Sequence, residues 1–192
     1  MSAAKPTPPV RKSILIVASI TFAAAAVFLF SEEERPKTFE ESVIAERLGR
    51  VSYQSQEGEK PILVNTFKAD WGSYEALRHA QKLLSVINDG KFTVQNAGTV
   101  RFVALATLTD RLGHETVEPT LQFEFNLDEM RTANLANLSE SGLMRLVTAG
   151  EVLHPAAGPD IVKVCSAATN PLGTPFCVKM GYSLLKNDWV PD

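Results

Sequence analysis

Cys165 and Cys177, the only cysteines in the 192 residues, flank the turn-rich stretch VCSAATNPLGTPFC. In an oxidising compartment two such thiols can close a disulfide; otherwise they remain free thiols. Their spacing is wider than that of a catalytic dithiol at a helix start. A zinc site would need two further ligands, for which His154 is the nearby candidate. The three histidines, His79, His114 and His154, fall in three different predicted elements and can converge only through tertiary folding. His79 sits one turn after Glu75, on the flank of a predicted helix, and reads as solvated or salt-bridged. His114 reads as a turn residue beside Asp110.

Glu124, Asp128 and Glu129 in FEFNLDEM are close enough in sequence for paired acid and base work. Asp128 and Glu129 also fall where a helix start favours acidic residues, and helix capping accounts for them without catalysis. The chain has no G-x-G-x-x-G, no G-x-x-x-x-G-K-[ST], no H-E-x-x-H and no G-x-S-x-G. No catalytic, metal or cofactor residue is therefore assigned, and the chain is not read as an enzyme. Trp71, Tyr74 and Trp189 are large aromatics of the kind that anchor partner surfaces or border a core.

These groups must be positioned by elements on one side of a membrane. Residues 13–30, SILIVASITFAAAAVFLF, carry no charge, and as a helix they cover ~27 Å of a hydrocarbon layer about 30 Å thick. The small residues lie inside the run, with Val27 to Phe30 after them, which favours a retained anchor over a cleaved signal. Ser19, Ala23 and Ala26 have spacing that allows close helix packing. Lys5, Arg11 and Lys12 precede the run and Glu32, Glu33 and Glu34 follow it. Basic flanks stay cytoplasmic, so the expected location is the bacterial inner membrane, with the C-terminal part periplasmic. Beyond the span, basic residues are outnumbered by acidic ones, which excludes a nucleic-acid footprint.

The expected organisation is a cytoplasmic tail (1–12), a transmembrane helix (13–30), a juxtamembrane linker and helix (31–60) and a periplasmic α+β domain (61–192). Thr38 and Glu41 have capping-box spacing for a helix to about Leu48 with a thin apolar stripe of Phe39, Val43 and Leu48, read as a stalk or a lightly packed helix. SYQSQEGEK (52–60) reads as loop. ILVNTF reads as a strand, and Ser73 is placed to cap a helix from Tyr74 to about Asn88 with Leu77, Ala80, Leu83, Leu84 and Ile87 on one face. KFTVQN, TVRFVALATLT and TVEPTLQFEFN read as three antiparallel strands, the second central, the third with Leu121, Phe123 and Phe125 inward and an edge or bulge at Pro119. Asn126 with Glu129 caps a helix to about Leu138. SESGLMRLVTAG reads as another helix, stopped by Gly150. EVLHP follows, and DIVKVC with PFCVKM reads as a disulfide-closed hairpin with Val162, Val164, Phe176, Val178 and Met180 on its apolar face.

The fold class is thus α+β, with a mainly antiparallel sheet and about three packed helices behind one N-terminal span. A short tail, one span and an outer α+β domain make a layout similar to that of the bitopic inner-membrane subunits of type IV secretion and conjugation machines. The similarity is one of layout, and no residue roles come with it. The expected function is protein–protein assembly in an envelope complex, with other membrane or periplasmic proteins, or further copies of the chain, as partners. A tethered ligand-binding or sensor domain, and an enzyme without a local signature, are the alternatives.

Overall fold

Residues 36–70, 72–94, 96–166, 174–183 and 188–189 are described by the structure, a computed structural model. The predicted span, with Ser19, Ala23 and Ala26, lies outside them, and so does Trp71. Among the described residues no helix is long and apolar enough to cross a membrane.

Five strands form one sheet in chain order: β1 (Arg50–Gln54), β2 (Ile62–Lys68), β3 (Thr99–Thr109), β4 (Glu115–Asn126) and β5 (Val147–Val152). β2 and β3 run parallel, joined through helix α2 (Ser73–Asn88), and the other three pairings are antiparallel. The sheet is therefore mainly antiparallel with β3 at its centre, as the apolar character of both β3 faces implied. A short pairing of β6 (Tyr182–Ser183) with β7 (Asp188–Trp189) stands apart from it.

Alternation along the strands decides which face is covered. Leu63 and Phe67 of β2, Val100, Phe102 and Ala104 of β3, and Leu121, Phe123 and Phe125 of β4 are all buried. Phe102, Phe123 and Phe125 stack or meet edge-on at ring-centroid distances of 5.4 to 5.9 Å, and Phe176 joins Phe123 at 6.0 Å. Each such ring removed from water contributes roughly 1.5 to 3 kcal/mol before chain entropy is charged against it. Against this face lie α2, which buries Leu77, Ala80, Leu83, Leu84 and Ile87, and the shorter helices α3 (Leu127–Thr132), α4 (Glu140–Arg145), α5 (Gly158–Ser166) and α6 (Pro175–Lys179). The opposite face carries the Arg101–Glu124 ion pair at 2.7 Å and the Gln122–Glu151 hydrogen bond. A sheet covered on one side gives this alternation.

Several elements differ from the expectation. Helix α1 (Phe39–Ala45) has the predicted Thr38–Glu41 capping box, and of its two readings the packed helix holds rather than the stalk: the expected stripe of Phe39, Val43 and Leu48 is buried in the common core. β1 occupies part of the expected loop, its alternation Val51 and Tyr53 hidden by the polar residues between them. KFTVQN forms no strand among its described residues, which lets α2 cross over to a parallel β3. Asn126 caps α3 as expected, through Glu129 N–H, but that helix ends at Thr132. The stretch VTAG is not helical and belongs to β5, where Gly150 accommodates Met180, the residue that follows α6: a Cβ there would stand 2.9 Å from the Met180 methyl.

The largest correction concerns the cysteine hairpin, which does not exist. Cys165 lies on α5 and Cys177 on α6, with the sulfurs 2.05 Å apart, at disulfide distance. In α5 the buried side chains are Ile161, Val164 and Cys165, and in α6 they are Phe176 and Cys177, with Met180 buried just after the helix, while Val178 is 58% exposed. Over six residues, helical and strand spacing select overlapping sets. The decisive signal was Thr174–Pro175: the Thr174 hydroxyl accepts the Cys177 N–H, and proline takes the first helical position.

Candidate functional site

β3 and β4 remain paired beyond the reach of their neighbours. β2 follows β3 as far as Leu105, and β5 follows β4 only from Leu121 to Phe125, so residues 106–118 form a two-stranded ribbon that extends past the sheet. At its root Thr120 is an extra residue between the Ala104–Leu121 and Leu105–Pro119 pairs. This bulge beside Pro119 matches the edge or bulge read from the sequence, and bulges bend and re-aim a ribbon. At the tip, the Asp110 carboxylate accepts the Leu112 and His114 N–H groups and faces His114 Nδ1 at 3.1 Å. Those donors, His114 first, hold the Asp110 carboxyl below its ordinary range. Leu112 (72% exposed) and Val117 (59%) stand out from the ribbon into solvent.

A cleft of about 290 Å³ opens at the ribbon root, lined by residues that include Asp70, Gly72, Thr107, Thr120 and Asp160. Where β2 has ended, Asp70 Oδ1 accepts the Thr107 N–H at 3.0 Å and so continues the ladder by one rung. That bond, with Lys68 at 3.1 Å, lowers the Asp70 pKa. Asp160 of α5 accepts the Ser73 N–H at 2.5 Å and caps α2 from 87 residues away. The expected local cap is absent: Ser73 is itself the first helical residue, and Gly72 precedes it with φ 100°. Both carboxylates thus hold backbone donors, and Asp70 is ionised at neutral pH with no proton to give.

In comparisons with protein families, curated proteins and solved structures, nothing matches this chain.

The aromatic candidates divide. Tyr74 is the second residue of α2, half-buried against the core. The Trp189 backbone pairs with Tyr182, and its side chain lies outside what is described, as does all of Trp71, whose neighbours Asp70 and Gly72 line the cleft. The structure does not bring the histidines together. His154 Nδ1 accepts the Ala156 N–H at the 3-10 turn Pro155–Ala157, and His114 stays in the ribbon tip. Glu124 pairs with Arg101, and Asp128 with Lys60 and Arg131, which, Lys60 first, lower its pKa. Among the described residues no three His, Cys, Asp and Glu side chains form a metal-ligand group.

His79 is the residue the sequence placed wrongly. It is not a solvated flank: its ring stacks on Phe67 with centroids 3.7 Å apart, and Nε2 lies 3.1 Å from Asn65 Oδ1. The fully buried Asn65 donates its amide to the carbonyls of Leu48 and Arg50. Asn65 therefore presents its oxygen to His79, so Nε2 carries the proton and donates it. Burial lowers the His79 pKa to about 4, and the ring is neutral at physiological pH. No periodicity in the sequence marks this network, because its members come from α2, β2 and the turn before β1.

Proposed function

We propose that this chain is a single-span inner-membrane protein, N-terminus inside, whose outer domain captures partner proteins in an envelope complex of the secretion or conjugation kind, with the ribbon as its docking element. The observation that carries the reading is the pairing of β3 with β4 beyond β2 and β5. Strand edges without neighbours offer main-chain donors and acceptors to an extended segment of a partner. Leu112 and Val117 supply apolar contacts beside those edges. Tethering confines the domain to a thin layer and raises its effective concentration toward partners held in the same layer, so weak edge contacts suffice.

A photo-crosslinking residue placed at 112 or 117 of the full chain, in intact membranes, tests this reading. Discrete adducts with envelope proteins are expected, reduced several-fold when the other position is changed to aspartate. Adducts from a control position on the covered side of the molecule, with none from 112 or 117, would overturn it.

A further inference from the structure

Arg47, Arg50 and Lys68 line a second groove, of about 620 Å³, over a floor that includes Phe67, His79 and Leu105, and among the described residues no acidic one lines it. The whole chain carries a net charge of −3, so an acid-free wall with three cations runs against its composition. Lys68 has an exposed ion pair with Asp70, and among the described residues neither Arg47 nor Arg50 has an ion pair. Exposed single pairs are weak, so Lys68 is available to a competing anion.

The turn that presents the arginines is built rather than incidental. Arg47 has φ 57°, the one positive value at a non-glycine position among the described residues. Left-handed backbone at such a residue persists where its surroundings hold it. Here the Asn65 amide grips the carbonyls on both sides of Gly49, and His79 in turn orients Asn65. Gly49 itself, at φ 81°, lies so close to β2 that a Cβ would stand 2.3 Å from the Thr66 carbonyl oxygen. A buried polar network thus fixes the backbone between two guanidinium groups.

Guanidinium forks match carboxylates in a bidentate geometry that ammonium groups cannot reproduce. The neutral His79 ring and Phe67 form a stacked apolar floor beside them. The groove is open, and Ile44 on its rim is 63% exposed, which suits a chain segment laid across it rather than a small molecule enclosed by it. We infer that this groove docks a short acidic segment of a partner protein, with carboxylates on Arg47 and Arg50 and an apolar side chain on the Phe67–His79 floor. This site is separate from the ribbon and stands or falls independently of it.

The test uses the full chain in detergent and a fluorescent octapeptide of alternating glutamate and leucine, with anisotropy as the readout. Saturable binding is expected, lost in the glutamine-for-glutamate peptide and weakened when serine replaces leucine. Arg47→Gln and Arg50→Gln should each weaken it about ten-fold, and so should raising salt from about 50 to about 500 mM. Thermal melts check folding, and if Arg47→Gln disturbs the turn, Arg50→Gln and Lys68→Gln carry the comparison. No binding at about 1 mM peptide, equal affinity for the glutamine peptide, or unchanged affinity in the folded variants would overturn the inference. So would retention of phosphatidylglycerol vesicles or inorganic phosphate through Arg50 without retention of the peptide.

Discussion

His79 couples the fold to pH. The unfolded chain takes up the imidazole proton near pH 6.5, and the folded ring, held neutral by burial, takes it up only near 4. Stability from this residue is complete above about pH 6.5 and is lost as pH falls toward 4. Allowing for the partial exposure of the ring, the loss is about 2 kcal/mol. Urea unfolding between pH 7 and 4 should show this slope. His79→Gln keeps an N–H toward Asn65 and should flatten it, and an unchanged slope would show that other groups are responsible. At the same turn, Gly49→Ala combines positive φ with a backbone clash and should cost more than about 2 kcal/mol, read as a lowered melting temperature.

At the scale of elements, two long-range attachments hold the helices. Asp160→Ala leaves the Ser73 N–H without its partner and should destabilise α2 by about 1 kcal/mol, with faster amide exchange in the first turn. Cys165→Ser with Cys177→Ser opens a loop of about a dozen residues, and the oxidised wild type should exceed the double variant by roughly 2 to 3 kcal/mol in equilibrium unfolding. Two alkylatable thiols in protein from its native compartment would remove that expectation. Such attachments mark the limit of what the sequence could reveal. α2, the inward residues of β4, the Thr38 box and the Asn126 cap were legible because each depends on residues within a few positions. α5 and α6 were misread because six residues fit two periods at once. The Asp160 cap and the Asn65–His79 network were illegible, since their partners are 87 and 14 residues apart and no local pattern registers them.

For the whole molecule, the proposed topology makes a definite prediction. Protease added outside the inner membrane should digest the chain beyond about residue 31 and spare the tail and span. Protection of the domain would reverse the orientation. In the same framework residues 31–192, released without an anchor, should fold, because the described unit from Pro36 has its own core. They should complement a deletion poorly, and full complementation would rule out tethering as the source of function.

The strand order of the sheet matches the order of the chain, β1 through β5 without a reversal. Each strand after the first therefore finds its partner already synthesised, and none must wait to be inserted between two others. A chain that emerges N-terminus first can grow its sheet from one edge to the other. Its longest excursion, through α2, lies early, between β2 and β3, and a shorter one through α3 and α4 separates β4 from β5. Each added strand buries the edge left by the one before, so the span of time in which an unpaired apolar edge is offered to other chains is short. The sulfurs, on α5 and α6, come after all five strands, so their joining closes a core whose sheet is already laid down.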